Sequence, residues 1–209
     1  MGWTGRLWRR LRNPPRAQRL AQKASGCGIR WPDGTLLALD GQTGVEKWRY
    51  QSRGPIEQTP VSTGDLIVVA NEADQVAAVD AVTGKFKWQY KTETPEEYTL
   101  RGHAGVTVVG DLVFTGFASG TMVALRVKTG SVAWLTTLKG ESDRFIDVDA
   151  TPVAVGDTVY VTSSSGGVWA IDQATGLVRW RTPLLGNTPS QGNGAVGGML
   201  LAAAAYGLS

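Results

Sequence analysis

The stretch Ala150–Leu184, ATPVAVGDTVYVTSSSGGVWAIDQATGLVRWRTPL, decides the fold. It reads as four short strands. The apolar, β-branched runs Val153–Val155, Val159–Thr162, Val168–Ile171 and Val178–Trp180 are separated by the turn signals Gly156-Asp157, Ser163–Gly167 and Gln173–Gly176. Within it, Asp172-x-x-Thr175-Gly176-x-x-x-Trp180 is one copy of a pattern that occurs three more times. Asp40, Thr43, Gly44 and Trp48 form one copy, and Asp80, Thr83, Gly84 and Trp88 another; a third has Thr129, Gly130 and Trp134, with Arg126 in the Asp place. A second marker keeps time with the first. Gly64-Asp65, Gly110-Asp111 and Gly156-Asp157 each stand at the same distance before their Trp. The chain is a repeat protein, and its unit is four strands.

Each marker has a physical reading. Gly-Asp between two apolar runs is a tight hairpin, because Gly reaches φ > 0 at no steric cost. In Asp-x-x-Thr-Gly the side-chain oxygens can accept backbone N–H bonds while Gly takes the left-handed position. The Trp that follows in the last strand needs a flat neighbour to cover it. A lone four-stranded sheet cannot bury both faces, whereas a ring of such sheets can, with each Trp sealing the seam to the next unit. A four-stranded unit repeating every ~40–45 residues is the signature of a β-propeller blade. The expectation is therefore an all-β, partial, open propeller of antiparallel blades, with Trp48, Trp88, Trp134 and Trp180 as its structural markers. Trp88, Trp134 and Trp180 are expected buried at seams, and Trp3 and Trp8 exposed.

Composition fits a packed domain: 209 residues, 42 % hydrophobic, can bury a core. Charge is split unevenly. Residues 1–32 hold eight basic residues (Arg6, Arg9, Arg10, Arg12, Arg16, Arg19, Lys23, Arg30) and no acid, leaving 13 basic against 18 acidic in 33–209, a net −5. The propeller part is thus mildly acidic, which disfavours nucleic acid as a partner. Cys27 is the sole cysteine, so no internal disulfide forms. The segment 1–32 has no apolar run of signal-peptide or membrane-span length. It reads as a basic tail, disordered or foreign to the domain, or else as a basic arm for an anionic surface aided by Trp3 and Trp8. Ala24-Ser25-Gly26-Cys27 has the outline of a lipoprotein cleavage box but no apolar stretch before it. Domain division is expected at 1–32 and 33–209.

In order, Gly34–Tyr50 is read as the back half of a first unit. Thr59–Tyr90, Ala104–Leu138 and Ala150–Leu184 are three full units, and Thr188–Ser209 opens another. That makes three full blades and two partial ones, whose unpaired edges favour self-association. The spacing from Trp88 to Asp111 and from Trp134 to Asp157 exceeds that from Trp48 to Asp65 by six residues. The extra residues fall at equivalent points, in KTETPEEYTLRGHA (Lys91–Ala104) and KGESDRFIDVDA (Lys139–Ala150), so both connections emerge side by side on one face. Binding residues tend to sit on such loops.

The Asp-x-x-Thr-Gly-x-x-x-Trp repeat resembles the PQQ-type propeller repeat shared by quinoprotein dehydrogenases and non-enzymatic relatives. Leu100-Arg101-Gly102, Asp143-Arg144 and Asp147-Val148-Asp149-Ala150-Thr151-Pro152 resemble the loops of the BamB-like accessory lipoproteins of the outer-membrane β-barrel assembly machine. The resemblance covers about residues 35–205. It implies a closed eight-bladed ring with a signal peptide and a lipidated Cys, of which this chain shows about half the ring and neither targeting feature. It also implies a non-catalytic scaffold at the periplasmic face of the outer membrane, associated with the membrane only through its partners. The partner implied is the insertase subunit, engaged through its periplasmic domains. By position the docking residues are Leu100, Arg101, Asp147 and Asp149, with Tyr98 where the family has an earlier leucine. On spacing alone, the Asp pair reads equally as a solvated loop, and Arg101 as a surface ion-pair residue.

The alternative is a fragment of a PQQ-dependent quinoprotein dehydrogenase, which needs a quinone pocket, a Ca²⁺ site and an Asp base. Cys27 and His103 each stand alone, so neither a zinc set nor a His-based triad can be assembled. Asp147-x-Asp149 lacks the Gly and distal Glu of a Ca²⁺ loop. Gly192-Asn193-Gly194-Ala195-Val196-Gly197 fits a dinucleotide-binding spacing, yet lacks the strand before it and the acid after it. No cofactor, metal or catalytic residue is expected.

Overall fold

The computed structural model describes residues 33–92, 104–138, 148, 150–163 and 167–182, and the backbone of 18–19 and 26–30. These residues form four antiparallel sheets of four strands, each in simple up-and-down order. The first comprises β1 (Gln18–Arg19), β2 (Gly26–Arg30), β3 (Thr35–Asp40) and β4 (Glu46–Gln51). The second is β5 (Val61–Ser62), β6 (Leu66–Asn71), β7 (Gln75–Asp80) and β8 (Phe86–Lys91). The third is β9 (Thr107–Val109), β10 (Leu112–Gly116), β11 (Thr121–Arg126) and β12 (Val132–Thr137). The fourth is β13 (Val153–Val155), β14 (Thr158–Ser163), β15 (Gly167–Asp172) and β16 (Val178–Thr182). The architecture is an open β-propeller, as the repeat implies.

The first unit corrects the reading. It is a whole blade rather than a half, because Gly26–Arg30 pairs residue for residue with Leu36–Asp40, and Gln18–Arg19 pairs with β2. A boundary at residue 33 therefore cuts through a sheet. GCGIR carries no apolar alternation, so main-chain bonding to the edge of β3 defines it rather than side-chain pattern. Trp3 and Trp8, and the further unit expected over Thr188–Ser209, lie outside the described residues.

Strand composition follows position in the blade. β3, β7, β11 and β15 are middle strands covered on both faces, so they read as unbroken apolar runs such as Leu36–Leu39 and Val76–Val79. β4, β8 and β12 are outer strands, in which alternate residues face solvent and the Trp alone is buried. Clusters form between sheets: Leu36, Trp48, Ile67 and Val79 join the first to the second, and Val68, Trp88, Val113 and Leu125 the second to the third. Phe114, Met122, Trp134, Val159 and Ile171 join the third to the fourth.

Candidate functional site

The up-and-down order puts two kinds of connection at opposite ends of every sheet. One end, the turn face, carries the Gly-Asp hairpins and the Asp-x-x-Thr-Gly turns. The other, the connector face, carries the hairpins between second and third strands and the links from one blade to the next.

On the turn face each seam is built the same way. The ring of Trp48 lies on Gly84, that of Trp88 on Gly130 and that of Trp134 on Gly176; a Cβ at Gly84 or Gly176 would fall 2.6 Å from the indole. These glycines have φ of 69°, 69° and 75°, so both the backbone and the contact require glycine. Each indole Nε1 then donates to the carbonyl of the residue after the turn's first position: Trp48 to Ala81 (3.2 Å), Trp88 to Val127 (2.8 Å) and Trp134 to Gln173 (3.0 Å). An alanine pairs opposite every Trp (Ala38, Ala78, Ala124 and Ala170), and the register shifts immediately after it. The small side chain and the bulge let the indole swing across to the next blade. Trp48, Trp88 and Trp134 are 7–8 % exposed, whereas Trp180 is 44 % exposed, against the expectation of burial. The cause is plain: no described turn follows to cover it, and its described ring neighbour is Tyr160, 6.0 Å away.

The turns themselves are held by carboxylates. Asp40 Oδ1 accepts from the backbone of Gln42 (3.0 Å) and Thr43 (2.9 Å), and Asp80 and Asp172 do the same for their turns. A cation one residue before the Trp completes each: Lys47 at 3.2 Å, Lys87 at 3.1 Å and Arg179 at 2.6 Å. The Thr83 amide and then Lys87 lower the Asp80 carboxyl to about 2. Asp40 is held well below the usual range by the Thr43 amide and Lys47, and Asp172 by Arg179 and Thr175. The third blade exchanges the charges: Arg126 replaces the Asp and pairs with Asp111 at 3.7 Å, and Ala133 replaces the cation. Its closing bond, Gly130 N to Arg126 O, is still 2.8 Å, the same as in the first two turns. Glycine sets this turn, and the carboxylate reinforces it.

The connector face holds the roots of both long connections. Ala104 ends the first, and Leu138 and Val148 bracket the second; all three are fully buried in one cluster. Gly105 N donates to Thr151 Oγ1 (3.1 Å) and Thr107 Oγ1 to Pro152 O, which stitches the exit of one connection to the exit of the other. Gly105 and Gly116 leave no room for a Cβ against Thr151 and Val148. Val148 N donates to Phe117 O at 3.3 Å. At the seam of the second and third blades, Asp74 sits at φ 50° and 1 % exposure; its carboxylate accepts from Ala118 N (3.4 Å) and its carbonyl from Thr92 N (3.3 Å). Beside it, Asn71 donates to Ser52 (2.8 Å) and Gln75 to Gln89 (2.6 Å).

Tyr98, Leu100, Arg101, Asp147, Asp149 and His103 lie outside the described residues. Asp74 and Thr107, which help secure the connection roots, carry no signal in the sequence reading. Thr151-Pro152 enters the sequence reading only through the family resemblance of Asp147–Pro152, and its bonds to Gly105 and Thr107 are what the structure adds. Among the described residues, no group of His, Cys, Asp or Glu can hold a metal, and no helix is long and apolar enough to cross a membrane.

Four-stranded blades joined by Trp-on-Gly seams define a β-propeller of the PQQ-type repeat class. The chain belongs to the family of the outer membrane protein assembly factor BamB, whose profile matches residues 5–204. It is similar to the crystal structure of BamB from Moraxella catarrhalis, with 27 % identity and a TM-score of 0.70 over 79 % of this chain and 51 % of that one. It also resembles a europium-containing methanol dehydrogenase (17 %, TM-score 0.64, covering 84 % and 43 %). A quinohemoprotein alcohol dehydrogenase from Pseudomonas putida HK5 is similar as well (16 %, TM-score 0.60, covering 85 % and 36 %). At those identities the dehydrogenases share the fold alone. The chain spans about half the length of the BamB structure and less of the others. No curated protein matches it in sequence.

Proposed function

We propose that this chain is a non-catalytic protein–protein scaffold of the outer-membrane β-barrel assembly machinery, working at the periplasmic face of the outer membrane. It reaches the membrane through its partner, the insertase subunit, whose periplasmic domains dock on the two long connections. The observation that carries this reading is the stitching of the two connection exits, Gly105 to Thr151 and Thr107 to Pro152, which holds adjacent roots together. Two lengthened loops on one rigid base suit a composite interface. Tyr98 and Leu100 contribute an apolar anchor, and Arg101, Asp147 and Asp149 contribute charge-assisted hydrogen bonds. Val148, buried between the two aspartates in sequence, anchors that loop to the third blade.

The test is a pull-down of the insertase's periplasmic domains with Asp147→Lys/Asp149→Lys. Loss of capture with an unchanged thermal midpoint supports docking. Undiminished capture overturns it, and a large fall in midpoint reassigns the pair to structural support.

A further inference from the structure

In the first three blades the hairpin between second and third strands ends on a residue of positive φ. The carbonyl of that residue takes the amide just past the outer strand. Gly34 O accepts from Ser52 N (2.9 Å), Asp74 O from Thr92 N (3.3 Å) and Gly120 O from Leu138 N (2.7 Å). Their φ values are 87°, 50° and 73°, and Asp74 is the one non-glycine at positive φ among the described residues. Glycine meets this turn at no steric cost, so an aspartate there answers a need beyond the turn. Its surroundings fix it: Asn71 Oδ1 accepts from Ala73 N (3.0 Å) and Gln75 N (3.2 Å), and Pro55 O from Glu72 N (3.0 Å). What the aspartate adds is its buried carboxylate, which accepts from Ala118 N (3.4 Å) across the seam. Ala118 belongs to the Phe117–Gly120 hairpin, and that hairpin holds both ends of the second long connection. Leu138, where the connection departs, bonds to Gly120 O, and Val148, near its exit, to Phe117 O (3.3 Å). Thr92, held on Asp74 O, opens the first connection.

We propose that Asp74 is a positioning residue for the docking face, tying the departure of the first long connection to the hairpin that carries the second. The inference rests on the docking role proposed above for those connections. Thr151 and Pro152 stitch the two exits together. Asp74 supplies the matching tie at the departures, with its carbonyl on one connection and its carboxylate on the base of the other. A charge-assisted bond to a backbone amide, shielded from water, is strong enough to hold two hairpins in one relation. A partner that docks on both connections is then spared the entropy of ordering one against the other.

Asp74→Gly is the test, because glycine keeps the turn and the bond to Thr92 while deleting the carboxylate. Native-state hydrogen exchange of the 209-residue chain is read at the amides of Ala118 and Val148, with Gly84 and Gly130 on the turn face as controls. Exchange at Ala118 and Val148 should quicken at least about tenfold, with control rates and the denaturant midpoint unchanged. Capture of the insertase's periplasmic domains should weaken about tenfold as well. No acceleration at Val148 overturns the proposal, because the second connection is then independent of Asp74. Equal acceleration at the controls also overturns it and makes Asp74 a residue of global folding. Parent-like capture by Asp74→Gly, with capture lost in Asp147→Lys/Asp149→Lys, overturns the positioning role and leaves docking standing. Capture undiminished in Asp147→Lys/Asp149→Lys removes docking instead, and exchange at Val148 then decides by itself whether Asp74 couples the two connections.

Discussion

The turn face and the connector face of the same blades follow opposite rules. On the turn face the geometry recurs nearly unchanged while the side chains drift: Asp40, Asp80 and Asp172 give way to Arg126, yet the closing backbone bond stays at 2.8–2.9 Å in all four turns. On the connector face the links differ in length, and the two long ones are tied at their roots by side-chain bonds such as Thr107 to Pro152 and Gly105 to Thr151. The lesson is that stacking is specified by Trp, Gly and backbone, which must be the same at each seam. Individuality is confined to the far end, where it does not disturb the stack.

The largest test of that contrast is at the seams. Trp88→Ala removes a buried indole from between two blades and should cost about 3–5 kcal/mol, read from denaturant unfolding. The same change at exposed Trp180 should cost about 1 kcal/mol or less under dilute conditions. Equal costs would mean that the indole contributes within its own sheet and not across the seam.

A second pair separates contact from conformation. Gly84 and Gly110 both have positive φ, but only Gly84 lies beneath an indole, while a Cβ at Gly110 meets open space. Gly84→Ala should cost about 2–4 kcal/mol, combining left-handed strain with overpacking. Gly110→Ala should cost about 1 kcal/mol, from strain alone. If the two coincide, the Trp-on-Gly contact adds nothing.

The smallest effect lies in the charges. Asp40, Asp80 and Asp172 ionise more readily folded than unfolded. Their contribution is therefore complete above the unfolded carboxyl value near 4 and is lost as pH falls through the depressed folded values, about 2 for Asp80. Arg126→Asp with Ala133→Lys transplants the missing pair into the third blade. It should raise the thermal midpoint slightly at pH 7 and steepen the loss between about pH 4 and 2. An unchanged acid limb would show that these exposed pairs are screened to nothing.

Much of this was legible because repetition multiplies weak signals. Four copies of Thr-Gly-x-x-x-Trp fix the blade and the face on which each turn lies, and the equal lengthening of two links points to the opposite face of adjacent blades. The strand Gly26–Arg30 escaped because a strand added to an existing edge needs only its backbone, and GCGIR offers no alternation to read. The exposure of Trp180 departs from the expectation because the burial of each repeated Trp comes from the glycine of the following turn, and no such turn is among the described residues. Two signals were present and overlooked: the alanine two positions before each turn, paired with the Trp, and the joint exchange of Asp for Arg126 and of the cation for Ala133. The buried Asp74 left no trace in the sequence, since nothing in Asn71–Gln75 says that its carboxylate will meet Ala118 of another blade.

The secured roots of the connections have a consequence for how such a protein can change. With Ala104, Leu138 and Val148 buried and Gly105 tied to Thr151, the ends of both links are fixed whatever lies between them. Closing a chain between fixed ends costs entropy that grows only with the logarithm of its length, about 0.6 kcal/mol for each doubling. Insertions there are thus nearly neutral to folding, while a single added carbon at Gly84 or Gly176 is not. Lineages carrying this scaffold are free to explore new binding chemistry at one end of the blades, and are held almost motionless at the other.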